Sequence, residues 1–144
     1  MENQSDEQPL LRLLPILSRI IQTADVHKKY GLTKSQIFIF LVLRYKGSMT
    51  MSEVAQYISS SKEQATRTVA SLCDHGLLER YEDSGNRTHV HIKFTAAGEK
   101  YMQQLAEQLK TEISKKLTSC LTEEDIETLR SSVETTIEIL SRVK

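Results

Sequence analysis

Cysteine is scarce in this chain of 144 residues. Cys73 and Cys120 are too few and too isolated for a disulfide framework or a zinc cage, and they argue for a reducing compartment. Net charge is absent too: 19 Lys and Arg balance 19 Asp and Glu, which argues against a protein that holds nucleic acid by bulk charge alone. No segment approaches the roughly 18 apolar residues of a membrane span. The start, MENQSDEQPLL, is acidic before its apolar run, unlike a basic leader, so a cytoplasmic location without membrane attachment is expected. A Gly-rich phosphate loop, a metal-ligand cluster and a nucleophile paired with a base are all missing. The chain is therefore expected to be no enzyme, with no catalytic residue, metal or cofactor.

With 39% hydrophobic and 26% charged residues, the composition is that of a globular protein, and the length suits one domain with a real core. Charge is unevenly spread. Residues 26–52 contain Lys28, Lys29, Lys34, Arg44 and Lys46 and no acidic residue, between an acidic tip and a mildly acidic last third.

Leu10, Leu13, Leu17, Ile20, Ile21 and Ala24 recur at helical spacing and predict a first helix to about Lys29, starting or kinking at Pro15. Three later starts read as capping boxes, Thr33 with Gln36, Thr50 with Glu53 and Ser60 with Glu63, each before an apolar run. The period then alternates. Leu77 to Asp83 and Thr88 to Phe94 predict two strands joined by a turn over 84–87. Thr95 caps a long helix striped by Tyr101, Leu105, Leu109, Ile113 and Leu117. A last helix from Thr122 carries Ile126, Leu129, Val133, Ile137 and Leu140 at helical spacing, a pattern suited to packing on another helix.

This order is that of a winged helix-turn-helix, in a fold that is mainly α with a small β-hairpin wing. On the helix KEQATRTVASLCDH, Ala65, Val69, Leu72 and Cys73 gather on one side, and Glu63, Gln64, Arg67, Ala70, Ser71 and Asp74 on the other. The outward set has the chemistry of groove reading. Gln64 can pair with adenine and Arg67 with guanine, and Ser71 permits close approach. Ser60, Ser61, Lys62 and Thr66 stand near the helix start, where donors meet phosphates, and Arg87 sits at the wing tip, from which a hairpin reaches an adjacent groove or the backbone.

The runs LTKSQIFIFLVL, MSEVAQYIS, QATRTVASLCDHGLLER and VHIKFTAAGEKY, in this order and spacing, resemble the MarR family of transcriptional regulators over nearly the whole chain. The resemblance implies one domain over 1–144, with 33–98 as the winged helix-turn-helix and 9–30 and 99–144 as a dimerisation part. It implies a homodimer that binds a pseudo-palindromic double-stranded operator as a repressor, released by a small amphipathic or phenolic effector. Thr66-Arg67 stands at the Thr-Arg pair of the family's recognition helix, and Thr95 to Gly98 at its Thr-x-x-Gly. Two places depart from the family pattern: Asn86-Arg87-Thr88 replaces Asp-x-Arg, and Ser71 stands where a second basic residue is common.

For the effector, His27, Tyr30, Phe38 and Tyr45 mix aromatic surface with polar tips and are the expected walls. Two alternatives remain open. Zero net charge with Glu63 and Asp74 suits a winged-helix interaction module that does not read DNA; His75, His89 and His91 with the two cysteines suit a metal- or redox-responsive regulator.

Overall fold

The computed structural model describes residues 8–21, 24–83 and 86–144. Its first helix, α1 (Pro9–Ile20), places Pro9 in the first turn, where a missing N–H breaks no helical bond, and continues through Pro15. The single helix expected to about Lys29 is two. Ile21 leaves the helical region at φ −91°, ψ 79°, and α2 covers Ala24–Tyr30. Ile20 and Ile21 are β-branched and stiff at χ1, which lowers the cost of a break there.

The helix α3 (Lys34–Lys46) begins as its sequence requires: Thr33 Oγ1 accepts from the Gln36 amide at 3.1 Å, and Gln36 Oε1 from the Thr33 amide at 3.0 Å. It buries Ile37, Ile39, Phe40 and Leu43 and leaves Phe38, Leu41 and Tyr45 exposed. A short strand that sequence patterning misses, β1 (Met49–Thr50), follows. Thr50 then caps α4 (Met51–Tyr57) by accepting from the Glu53 amide.

The helix α5 (Lys62–Asp74) starts one residue later than its expected box. Ser59 adopts φ 50° and the Ser60 amide bonds back to Ala55 O, so the turn consumes an extra residue. Ser61, not Ser60, is the cap, and Gln64, not Glu63, supplies the amide. The helix ends at a left-handed Gly76 (φ 72°), where the Leu77 amide returns to Leu72 O.

The strands β2 (Leu78–Asp83) and β3 (Asn86–Phe94) are antiparallel, and with β1 they form a sheet of order β1-β3-β2. A register shift between Glu82 and Asp83 pairs Asp83 with Asn86, so Asn86 and Arg87 belong to the strand rather than the expected turn. Then come α6 (Ala96–Cys120) and α7 (Glu123–Leu140). The fold is thus mainly helical with a three-stranded wing sheet.

The chain divides into two compact units. In the unit Thr23–Leu109 the core gathers α3, α4, α5, the sheet and the start of α6 around Phe40, which is fully buried and meets Phe94 and Tyr101 edge-on at centroid distances of 5.1 and 6.2 Å. The Thr-x-x-Gly segment is the hinge pin of this packing. Thr95 Oγ1 accepts from the Gly98 amide and donates to Gly76 O. A Cβ on Gly98 would lie 1.9 Å from Leu77 O, a backbone atom with nowhere to go. Gly98→Ala is therefore expected to cost at least about 1–3 kcal/mol, the usual range for overpacking. Urea denaturation checks this, and an unchanged midpoint would contradict the packing described.

The other unit, Met1–Gln22 with Lys110–Lys144, contains α1, the second half of α6, and α7. Lys116 Nζ donates to Ile20 O at the end of α1. α7 opens with Thr122 and Asp125 capping each other's amides, and Arg130 pairs with Glu127 and Glu134 on its solvated side. Neither α1 nor α7 has a buried residue: Leu11, Leu14, Val133 and Ile137 stand 65%, 70%, 44% and 53% exposed in the single chain.

Candidate nucleic-acid interface

Helix α5 divides by chemistry as its sequence dictates. Ala65, Val69 and Leu72 are buried and Cys73 is half-buried, which seats the helix on α3 and α4. Lys62, Glu63, Gln64, Thr66, Arg67 and Asp74 are exposed, while Ala70 and Ser71 are half-buried. Arg67 is exposed and has no carboxylate partner among the described residues.

The hydroxyls around the helix start are not equivalent. Ser60 Oγ donates to Ser61 O at 3.0 Å, and Thr66 Oγ1 to Lys62 O at 2.8 Å. Each carries one hydrogen, so these two have none left for a phosphate in this arrangement. Ser61 differs: its oxygen accepts from the Gln64 amide, and its hydrogen has no acceptor among the described residues.

Ser71 sits at the edge of the outward set. It lines a cleft of about 320 Å³ with Tyr30, Gln36, His75 and Tyr101, and its carbonyl accepts from His75 Nδ1 at 2.7 Å. The backbone of Arg87 lies in β3, and its side chain is outside the described residues. On the outer face of the sheet, His91 stacks on Tyr81 at 5.3 Å, and Lys93 lies over the same tyrosine and pairs with Glu79.

Of the residues expected around an effector, Tyr30 and Phe38 line different clefts. The side chain of His27 is outside the described residues. Tyr30 meets Tyr101 edge-on at 5.3 Å and accepts the Tyr101 hydroxyl at its carbonyl, and burial followed by the neighbouring Tyr30 pushes the Tyr101 phenol up. Phe38 lies elsewhere, 6.4 Å from the Tyr57 ring, and Tyr45 is 73% exposed. A larger cleft of about 410 Å³ lies where sequence reading did not look. Leu43, Phe94 and Met102 form its apolar walls, and Arg44, Lys93 and Glu99 its charged ones. Its residues come from the end of α3, the end of β3 and the start of α6, so only Arg44, within the basic block, left a trace in the sequence.

Of the two thiols, Cys120 is exposed, whereas burial pushes the Cys73 thiol up, against the opposing effect of Arg80, and disfavours its thiolate. Among the described residues no group of three or more His, Cys, Asp or Glu is placed to hold a metal ion. None of the described helices is long and apolar enough to cross a membrane.

Residues 30–87 match the family model described as MarR family. No curated protein is similar to the chain at a significant level. Solved structures share its fold at low identity. NadR, crystallised in complex with 4-hydroxyphenylacetate, is 20% identical with a TM-score of 0.74 over 100% of both chains. Wild-type MarR (apo form) from E. coli is 20% identical with a TM-score of 0.73, over 92% of this chain and 99% of that one. The transcriptional regulator Tm0710 from Thermotoga maritima is 22% identical with a TM-score of 0.68, over 94% and 96%.

Proposed function

We propose, from the premise that residues 30–87 carry the winged helix of the MarR family of regulators, that this chain is a homodimeric repressor reading a pseudo-palindromic operator. The observation that carries the reading is α5: a helix seated by Ala65, Val69 and Leu72 that turns to solvent Gln64 and an Arg67 with no carboxylate partner among the described residues. In a major groove these two supply the bidentate pairings that distinguish adenine and guanine. The winged helix within 33–98 is the reading part, and the terminal helices, 9–30 and 99–144, the dimerisation part. Supporting this division, α1 and α7 expose leucine, isoleucine and valine stripes of the kind that mark an interface. A twofold pair of reading helices suits half-sites about one DNA turn apart.

The effector is a small aromatic acid or phenol. NadR was crystallised with such a molecule, and the cleft between Leu43, Phe94 and Met102 offers apolar walls with Arg44 for a carboxylate. Fluorescence anisotropy tests the whole reading, with a duplex selected from a random-sequence pool and a scrambled duplex of equal length. Expected are selective binding that falls steeply with salt and loses affinity as 4-hydroxyphenylacetate or a related aromatic acid is added. Equal binding to both duplexes, or none, would favour the interaction module instead.

A further inference from the structure

We propose that a notch at the root of the wing seats one DNA backbone phosphodiester, with Ser52, Lys62 and His89 as its donors. The assignment rests on the DNA-reading function proposed above. The notch, about 110 Å³, forms where three elements meet: Thr50 and Ser52 at the start of α4, Lys62 and Thr66 at the start of α5, and His89 on β3. Nothing in the sequence puts these residues together, since Ser52 and His89 are 37 positions apart (89 − 52) and join only through the pairing of β1 with β3.

Its chemistry is one-sided. No carboxylate lines it. The acidic residue closest in sequence to Ser52, Glu53, has its charge countered by an ion pair with Lys46, and its carboxylate accepts from the Thr50 hydroxyl. Ser52, Lys62 and His89 have no hydrogen-bond or ion-pair partner among the described residues, and Lys62 and His89 are exposed. Thr66, whose hydroxyl is committed to Lys62 O, serves as a wall rather than a donor. The positive end of α5 begins at Lys62 and adds to the preference for an anion.

The notch is also in the right place for a backbone contact and the wrong one for a base. Lys62 lies about 140° around α5 from Arg67, so a groove edge read by Arg67 leaves the flanking strand beside Lys62. A uniform anchor at this point gives a chain of zero net charge a local seat for phosphate without a basic surface.

Ser52→Ala, His89→Ala and Lys62→Ala decide the matter, measured by anisotropy on the selected and scrambled duplexes, with thermal melts to confirm folding. Each is expected to weaken both duplexes alike, by about three- to tenfold. Lys62→Ala is expected to reduce the salt slope by about 1. Neutral methylphosphonates, placed one at a time in the selected duplex, identify the phosphate: one position should cost wild type what His89→Ala costs and cost His89→Ala nothing more. Unchanged affinity of Ser52→Ala and His89→Ala, or a loss confined to the selected duplex, overturns the notch while leaving DNA reading intact. Failure of the wild type to select any duplex overturns the reading itself.

Discussion

Phe40→Ala is expected to destabilise the unit Thr23–Leu109 by about 3–5 kcal/mol, the range for emptying a large aromatic site. Phe40 is fully buried and touches both Phe94 at the end of β3 and Tyr101 at the start of α6. Its removal therefore opens a void shared by α3, the sheet and α6, none of which can collapse alone to fill it. Domain stabilities are about 5–15 kcal/mol, so the loss is a large fraction of the whole. Urea denaturation followed by far-ultraviolet circular dichroism measures it. A change below about 1 kcal/mol would mean that the three elements do not share this core. Because the proposed dimer would add concentration-dependent stability, wild type and variant must be compared at one protein concentration.

Arg67→Ala is expected to produce the largest loss of selectivity. A bidentate arginine–guanine pair contributes about 1–3 kcal/mol of discrimination, so the selected duplex should bind roughly ten- to hundredfold more weakly. The scrambled duplex should lose far less, since only the charge is missing there. This pattern differs from that of the notch variants, which weaken both duplexes alike. Arg67→Lys separates the two contributions further: it keeps the charge, restores much of the nonselective binding and leaves the base preference relaxed, because an ammonium lacks the planar fork. Equal affinity of wild type and Arg67→Ala for the selected duplex would remove Arg67 from the reading face.

The elements were legible wherever a local rule decided them. Thr33 with Gln36 and Thr50 near Glu53 start helices at the positions their capping chemistry demands, and Ala65, Val69 and Leu72 fall on the buried side that their spacing specifies. The errors arose where a neighbour decided. Ser61 took the cap from Ser60 because the preceding turn bonds Ser60 back to Ala55. Asn86 and Arg87 entered β3 because of a register shift in the hairpin. β1 is two residues long, below any periodicity, and exists because β3 offers it an edge.

The sequence by itself determined which residues α5 buries and which it turns outward, because helical periodicity and side-chain polarity are properties of a single segment. Only the tertiary structure decided what those outward groups are free to do. It engaged the Ser60 and Thr66 hydroxyls within the chain, put Ser71 at the lip of a cleft with Tyr30 and Tyr101, and brought His89 across from Lys62. It also put Tyr30 and Phe38 on different clefts while joining Leu43 and Arg44 to Phe94 and Met102. A hydroxyl has one hydrogen to give and a cleft needs walls from several elements, and both are settled by neighbours distant in the chain.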